Sequence, residues 1–232
     1  MSLQSAAPAA VELRDVTRVY DTPSGPLRAL DGANLRIDSG ELVAVVGRSG
    51  SGKSTLLNLI AGIDRATFGS VRVAGSDLTG LGERRLAAWR GRSVGVVFQF
   101  FQLLPTLTVA ENVTLPMDFC GFGRRSERDA RARALLERVE ISDQADKLPL
   151  TLSGGQQQRA AIARALANDP AIVVADEPTG NLDSKSGAAV WSLFAELARE
   201  GKAVIVVTHD PEVSRWAQRV VQIADGQVST GA

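Results

Sequence analysis

Leu42-Val43-Ala44-Val45-Val46 is an apolar run of strand length, and it leads directly into Gly47-Arg48-Ser49-Gly50-Ser51-Gly52-Lys53-Ser54. The residues from Ser54 to Ala61 then read as a helix that ends near Gly62. Strand, glycine-rich loop and helix, in that order, constrain the fold more than any other stretch of the chain. The loop fits G-x-x-x-x-G-K-[ST], a pattern whose side-chain-free N–H groups surround phosphate. Gly47, Ser49, Gly50, Ser51, Gly52 and Thr55 are expected to line a nucleotide's phosphates. Lys53 is expected to reach the β- and γ-phosphates, and the Ser54 hydroxyl to ligate Mg²⁺.

A second anion site stands far downstream, at Leu152-Ser153-Gly154-Gly155-Gln156. Two glycines leave bare backbone donors, Ser153 adds a hydroxyl, and a helix begins right behind. That arrangement is a helix N-terminus prepared for an anion. A chain with two separate phosphate sites either binds two nucleotides or clamps one nucleotide between two copies of itself.

Ala171-Ile172-Val173-Val174-Ala175 is another apolar strand, and it delivers Asp176 and Glu177 at its carboxyl end. Ligands gather at that edge in a doubly wound α/β sheet. Asp176 is placed to hold Mg²⁺ through water. Glu177 has no structural reason to follow a first acid, and like-charge repulsion opposes it; a general base polarising the attacking water accounts for it. Ala203 to Thr208 is a further buried-type strand and ends at His209, the only histidine in the chain. An imidazole there can donate to a γ-phosphate while its other nitrogen meets a carboxylate. Asp210 and Pro211 read as the N-cap and first residue of a following helix.

LSGGQ, with the phosphate loop and the Asp-Glu strand end, resembles the signature of the ABC (ATP-binding cassette) ATPases. With Ala175 to Asp183, the Thr22 to Leu30 segment and the segment beginning at Gln99, it looks like the MacB/LolD-type cassettes, from about Val11 to Val228. The resemblance implies a P-loop NTPase (RecA-like) core, an antiparallel β layer and a helical subdomain bearing the signature. It implies that Tyr20 stacks on adenine and that Gln99 touches Mg²⁺ and the attacking water. It makes His209 the switch histidine and Asp183 part of a loop crossing to a partner subunit. ATP on the phosphate loop of one chain would meet Ser153, Gly154, Gly155 and Gln156 of another. The implied activity is ATP hydrolysis driving head-to-tail dimerisation of this subunit, which powers an integral membrane permease. The implied place is cytoplasmic, peripheral on the inner face of the plasma membrane. A regulatory cell-division-type cassette and a non-transport ATPase of the same superfamily are the competing readings; long coiled-coil insertions, zinc cysteines or fused cassettes would favour the latter, and none is seen.

The chain has 232 residues, enough for a sizeable core in one α/β unit. Its 26 basic and 26 acidic residues cancel, so no charge footprint for nucleic acid exists. Arg84-Arg85 and Arg124-Arg125 read as solvated surface. Cys120 is the one cysteine, which excludes an internal disulfide framework. No apolar run is long enough to span a bilayer, and residues 1–10, without the order of a signal peptide, are expected to be a loose tail before a domain of residues 11–232. Val11 to Val19 and Ala33 to Ile37 read as antiparallel strands around the turn-rich Thr22 to Pro26. Residues from about 99 to 160 are expected to form a helical insert, with Ser126 and Asp129 as a capping box. Lys185 to Glu200, closed by Gly201, reads as the next long helix. The apolar stretch from Phe100 to Leu107 is expected to dock a helix of a membrane partner.

Overall fold

The structure, a computed structural model, describes residues 9–230. The chain begins with a long hairpin, β1 (Val11–Thr22) and β2 (Gly25–Ile37), paired antiparallel. Next come β3 (Leu42–Val46), α1 (Lys53–Ile60), β4 (Phe68–Val73), β5 (Ser76–Asp77), α2 (Glu83–Ser93) and β6 (Val94–Val97). Two helices follow, α3 (Val109–Cys120) and α4 (Arg125–Arg138), then α5 (Gly154–Ala165), β7 (Ile172–Asp176) and α6 (Ser184–Arg199). The chain closes with β8 (Ala203–Val207), a 3-10 turn at Pro211–Arg215, β9 (Arg219–Ala224) and β10 (Gln227–Thr230).

Two sheets result. The first is antiparallel, in the order β2-β1-β4-β5. The second, in the order β10-β9-β3-β8-β7-β6, is parallel except for the β9–β10 hairpin at its edge. The apolar runs read from the sequence are the central parallel strands, and their continuity has a physical cause: both faces are covered. In β8, Ala203, Ile205 and Val207 point into the layer shared with the antiparallel sheet and α1. Val204 and Val206 point the other way, into the core with α3 to α6. Phe194 of α6 is fully buried there, edge-on to Trp191 at 6.2 Å.

Several expectations need correction. Residues 1–8 of the expected tail lie outside the described residues, and Ala10 is buried, its carbonyl accepting the Ala74 N–H at 2.8 Å. The capping box of α4 is not Ser126 with Asp129. The helix starts earlier, at Arg125, where Glu127 accepts the Arg124 N–H at 2.7 Å. A capping box does open α3, where Glu111 accepts the Thr108 N–H at 2.7 Å and Thr108 Oγ1 accepts the Glu111 N–H. Helix α5 runs to Ala165, beyond the expected end of the insert. After His209 the chain forms a 3-10 turn rather than an α-helix. The arginine pairs at 84–85 and 124–125 are exposed, as expected. No described helix is long and apolar enough to cross a membrane.

Candidate functional site

The parallel sheet brings its carboxyl ends together at one rim, where β3, β7 and β8 release the phosphate loop, Asp176–Glu177 and His209. A cavity of about 770 Å³ lies at this rim. Tyr20, Gly47, Ser49, Gly50, Gly52, Lys53, Ser54, Thr55, Gln99, Asp176, Glu177 and His209 all line it. Ser51 is buried behind it. Sequence reasoning did not find Leu27, Arg28, Ala29, Val207, Asp225 and Gly226, which complete the lining.

The loop is fixed by close backbone approaches. A side chain at Gly47 would meet the Ile223 carbonyl at 2.2 Å, and one at Gly52 the Ala29 carbonyl at 2.4 Å. Gly52 also holds φ 109°, a conformation that costs glycine little. It occupies the N-cap of α1 with no side-chain cap, and no acid stands in the first turn. The positive end of the helix is therefore open to an anion. Lys53 Nζ donates to the Gly47 carbonyl at 2.8 Å and the Arg48 carbonyl at 2.7 Å, so its ammonium is held across the loop mouth.

Across from the loop, Ser54 Oγ donates to Asp176 Oδ2 at 3.2 Å. Burial pushes the Asp176 carboxyl up from its ordinary value, the Ser54 bond opposes this, and the neighbouring Glu177 charge adds to it. A divalent cation between hydroxyl and carboxylate would reverse that penalty, so the pair fits Mg²⁺ held jointly with phosphate oxygens. Glu177 sits at φ 48°, an uncommon backbone state for a side chain of its size. Its N–H donates to the Val207 carbonyl at 2.9 Å, which turns the carboxylate towards β8. There Glu177 Oε1 lies 2.8 Å from His209 Nδ1.

Tyr20 is held from behind. Its hydroxyl donates to Asp64 Oδ2 at 2.6 Å, and the Arg18 guanidinium lies 4.4 Å from the ring centroid. Arg18 also pairs with Asp64 at 2.8 Å. The Gln99 carbonyl accepts from Asn181 Nδ2 at 3.3 Å.

The signature residues do not join this cavity. Ser153 is the N-cap of α5: its hydroxyl accepts the Gln156 N–H at 3.3 Å, while Gln156 Oε1 accepts the Ser153 N–H at 3.0 Å. The hydroxyl proton of Ser153 stays available to an outside acceptor. Gly154 is exposed, and Gly155 packs on α6, where an added side chain would meet Ser186 Oγ at 2.8 Å. Asp183, expected to reach a partner subunit, caps α6 by accepting the Lys185 and Ser186 N–H groups at 3.0 Å each. Ser153, Gly154, Gly155, Gln156 and Asp183 are all absent from the lining of the phosphate-loop cavity. One chain thus presents two helix N-termini, of α1 and α5, that do not share this cavity.

The apolar stretch after Gln99 divides. Leu103 packs on the core, whereas Phe100 and Leu104 are exposed. The adjoining groove, of about 610 Å³, takes only Gln102 from Phe100 to Leu107. Its walls come instead from α2, β6 and Phe98 just after it, α3 and the end of α5, including Ala87, Leu115, Phe119 and Arg164, with Phe119 81% exposed. Phe100 and Leu104 of the expected docking segment thus stand exposed beside this groove rather than inside it.

The family model described as "ABC transporter" matches residues 30–180. An "Uncharacterized ABC transporter ATP-binding protein" of Thermotoga maritima is 48% identical over 218 residues, covering 94% of this chain and 93% of that protein. The "Macrolide export ATP-binding/permease protein MacB" of Shigella flexneri is 46% identical over 94% of this chain, which spans only 34% of that protein. Among solved structures, the dimeric post-hydrolysis state of the ATP-binding cassette MJ0796, bound to ADP and Pi, superposes with TM-score 0.88 at 44% identity, covering 94% of this chain and 96% of that one. The chain belongs to the ABC transporter family, as an ATP-hydrolysing ATP-binding cassette.

Proposed function

We propose that two copies of this chain close head to tail on ATP and drive a membrane-embedded permease. The observation behind this reading is the separation of the two helix ends within one chain. The α1 end opens into the cavity with Lys53, Asp176 and Glu177, and the α5 end with Ser153 contributes no residue to it. A second copy supplies what each cavity lacks. The Ser153 hydroxyl and the N–H groups behind it would then close on the γ-phosphate, so the nucleotide stabilises the dimer until hydrolysis removes that phosphate.

In this reading Lys53 and the backbone from Gly50 to Thr55 bind the β- and γ-phosphates. Ser54 and Asp176 hold Mg²⁺, which withdraws charge from the phosphate oxygens when bound. Glu177 takes the proton of the attacking water, and His209 steadies that carboxylate from one side. Gln99 stands beside the water and metal, and Tyr20 offers one ring face to the base. Asp183 lies on the loop that approaches the second copy. The partner is an integral membrane permease, and it keeps the cassette at the cytoplasmic face. The MacB relatives are named as permease fusions, and the groove beside Phe119 offers an apolar surface to such a partner.

Glu177→Gln tests this reading. The variant keeps size and hydrogen bonding but removes the base. ATP binding should persist, with hydrolysis about 10²-fold or more below wild type and an ATP-dependent dimer on size exclusion. Phosphate release near the wild-type rate would remove Glu177 from the role.

A further inference from the structure

Arg164 occupies the last turn of α5, the helix that Ser153 caps. Its guanidinium points across to the loop after β6. Nη2 donates to the Phe101 carbonyl at 2.7 Å, and Nη1 donates to the Gln102 carbonyl. Among the described residues no carboxylate lies within ion-pair reach of it, and burial alone holds its pKa below the ordinary arginine value. A largely desolvated cation answered only by carbonyl dipoles is costly, and its geometry points to what it holds.

What it holds is strained. Phe101 and Gln102 both have φ 54°, two consecutive non-glycine residues in the left-handed region. The Gln102 N–H also turns back onto the Phe100 carbonyl, closing a tight turn. That turn begins directly after Gln99. Both ends of the link are anchored. The C-terminal end of α5 packs so closely on β6 that a side chain at Gly95 would meet the Ala165 carbonyl at 2.4 Å. The Phe101 ring lies beside Gly154, 3.9 Å from where a side chain there would start.

We propose that Arg164 is a positioning residue: it holds the Phe101–Gln102 turn in its left-handed form, sets Gln99 at the nucleotide cavity, and ties that setting to the helix bearing Ser153. This rests on the reading of Gln99 as a residue that acts on the bound nucleotide. Arg164 does not line the cavity of the phosphate loop, so nucleotide binding continues without it. What is lost is the placement of Gln99 when the dimer closes.

The test is a double-mutant cycle on the full chain, reading kcat and KM for ATP hydrolysis together with the melting temperature. Arg164→Met keeps the aliphatic stem and removes the donors. It should lower kcat about tenfold or more and leave KM within about twofold. Gln99→Ala should lower kcat as well, and Arg164→Met added to Gln99→Ala should cost nothing further. Gln102→Gly, which takes up a positive φ without strain, should restore part of the activity lost in Arg164→Met. Where Arg164→Met melts too low to assay, Arg164→Lys, which keeps charge and one donor, goes through the same cycle. Losses that multiply in the double variant, or a change confined to KM, would overturn the proposal. A Gln99→Ala chain with full activity would instead sink the reading of Gln99 on which it rests.

Discussion

Glu177 Oε1 and His209 Nδ1 stand 2.8 Å apart, the carboxylate side chain 16% exposed and the imidazole 75%. The bond from Glu177, with its charge, raises the His209 pKa above 6.5. A folded value above the unfolded one gives stability that is complete below pH 6.5 and fades as the pH rises through the raised value. Because the ring is exposed, solvent screening keeps that contribution small, and titration reads it better than unfolding. The chain has one histidine, so a single imidazole signal reports it by NMR. The midpoint should lie above 6.5 in the wild type and fall towards 6.5 in Glu177→Gln. Equal midpoints in the two proteins would show that the pair does not form in solution.

Asp176 should matter through the metal rather than through folding. Its carboxyl is raised by burial and bonded only weakly to Ser54, at 3.2 Å. Asp176→Asn removes the unfavourable buried charge and keeps the shape, so the melting temperature without nucleotide should hold or rise. Calorimetric titration with ATP should show wild-type affinity improving about tenfold or more on adding Mg²⁺, and chelation should abolish that gain. The variant should bind equally with and without the metal. A full magnesium gain in Asp176→Asn would place the metal elsewhere.

Phe119 is 81% exposed on the wall of the groove beside α3. Phe119→Glu should leave the melting temperature and the ATPase rate of the separate subunit unchanged. A charge there must lose water for an apolar helix to dock, so recovery of the subunit with its permease in membranes should fall about tenfold or more, roughly 1.4 kcal/mol. Undiminished recovery with a folded variant would move the docking surface off this groove.

Legibility followed locality. The phosphate loop, the signature helix start and the strand-end acids are each specified by adjacent residues, and each folds where the spacing places it. The parallel strands were readable because burial on both faces leaves unbroken apolar runs. Helix α2 had no stripe to read: of ERRLAAWRGRS, only Leu86 is buried. Strand β4 opens with Phe68, 67% exposed, and Gly69, which together blur its alternation. Polar side chains with distant partners left no signal at all. Asn112 is fully buried because it bonds the Leu104 backbone at both ends, accepting its N–H at 2.7 Å and donating to its carbonyl at 3.1 Å. In the sequence it is one polar residue among the apolar ones around it. Tyr20 and Asp64 meet across 44 residues, and Arg164 and Phe101 across 63. Such pairs exist only once the sheet has brought the loops together.

The head-to-tail pairing is tested most directly by mixing two inactive chains. Lys53→Ala disables the phosphate loop. Ser153→Asp keeps an N-cap for α5, since aspartate caps as well as serine, but puts negative charge where phosphate must approach. In a heterodimer of the two, one composite site carries both lesions and the other carries neither. Each variant alone should be inactive, and an equal mixture should recover roughly a quarter of the wild-type phosphate release per chain, half the dimers each having one intact site of two. No recovery at any mixing ratio, with both chains folded and dimerising, would contradict the shared site.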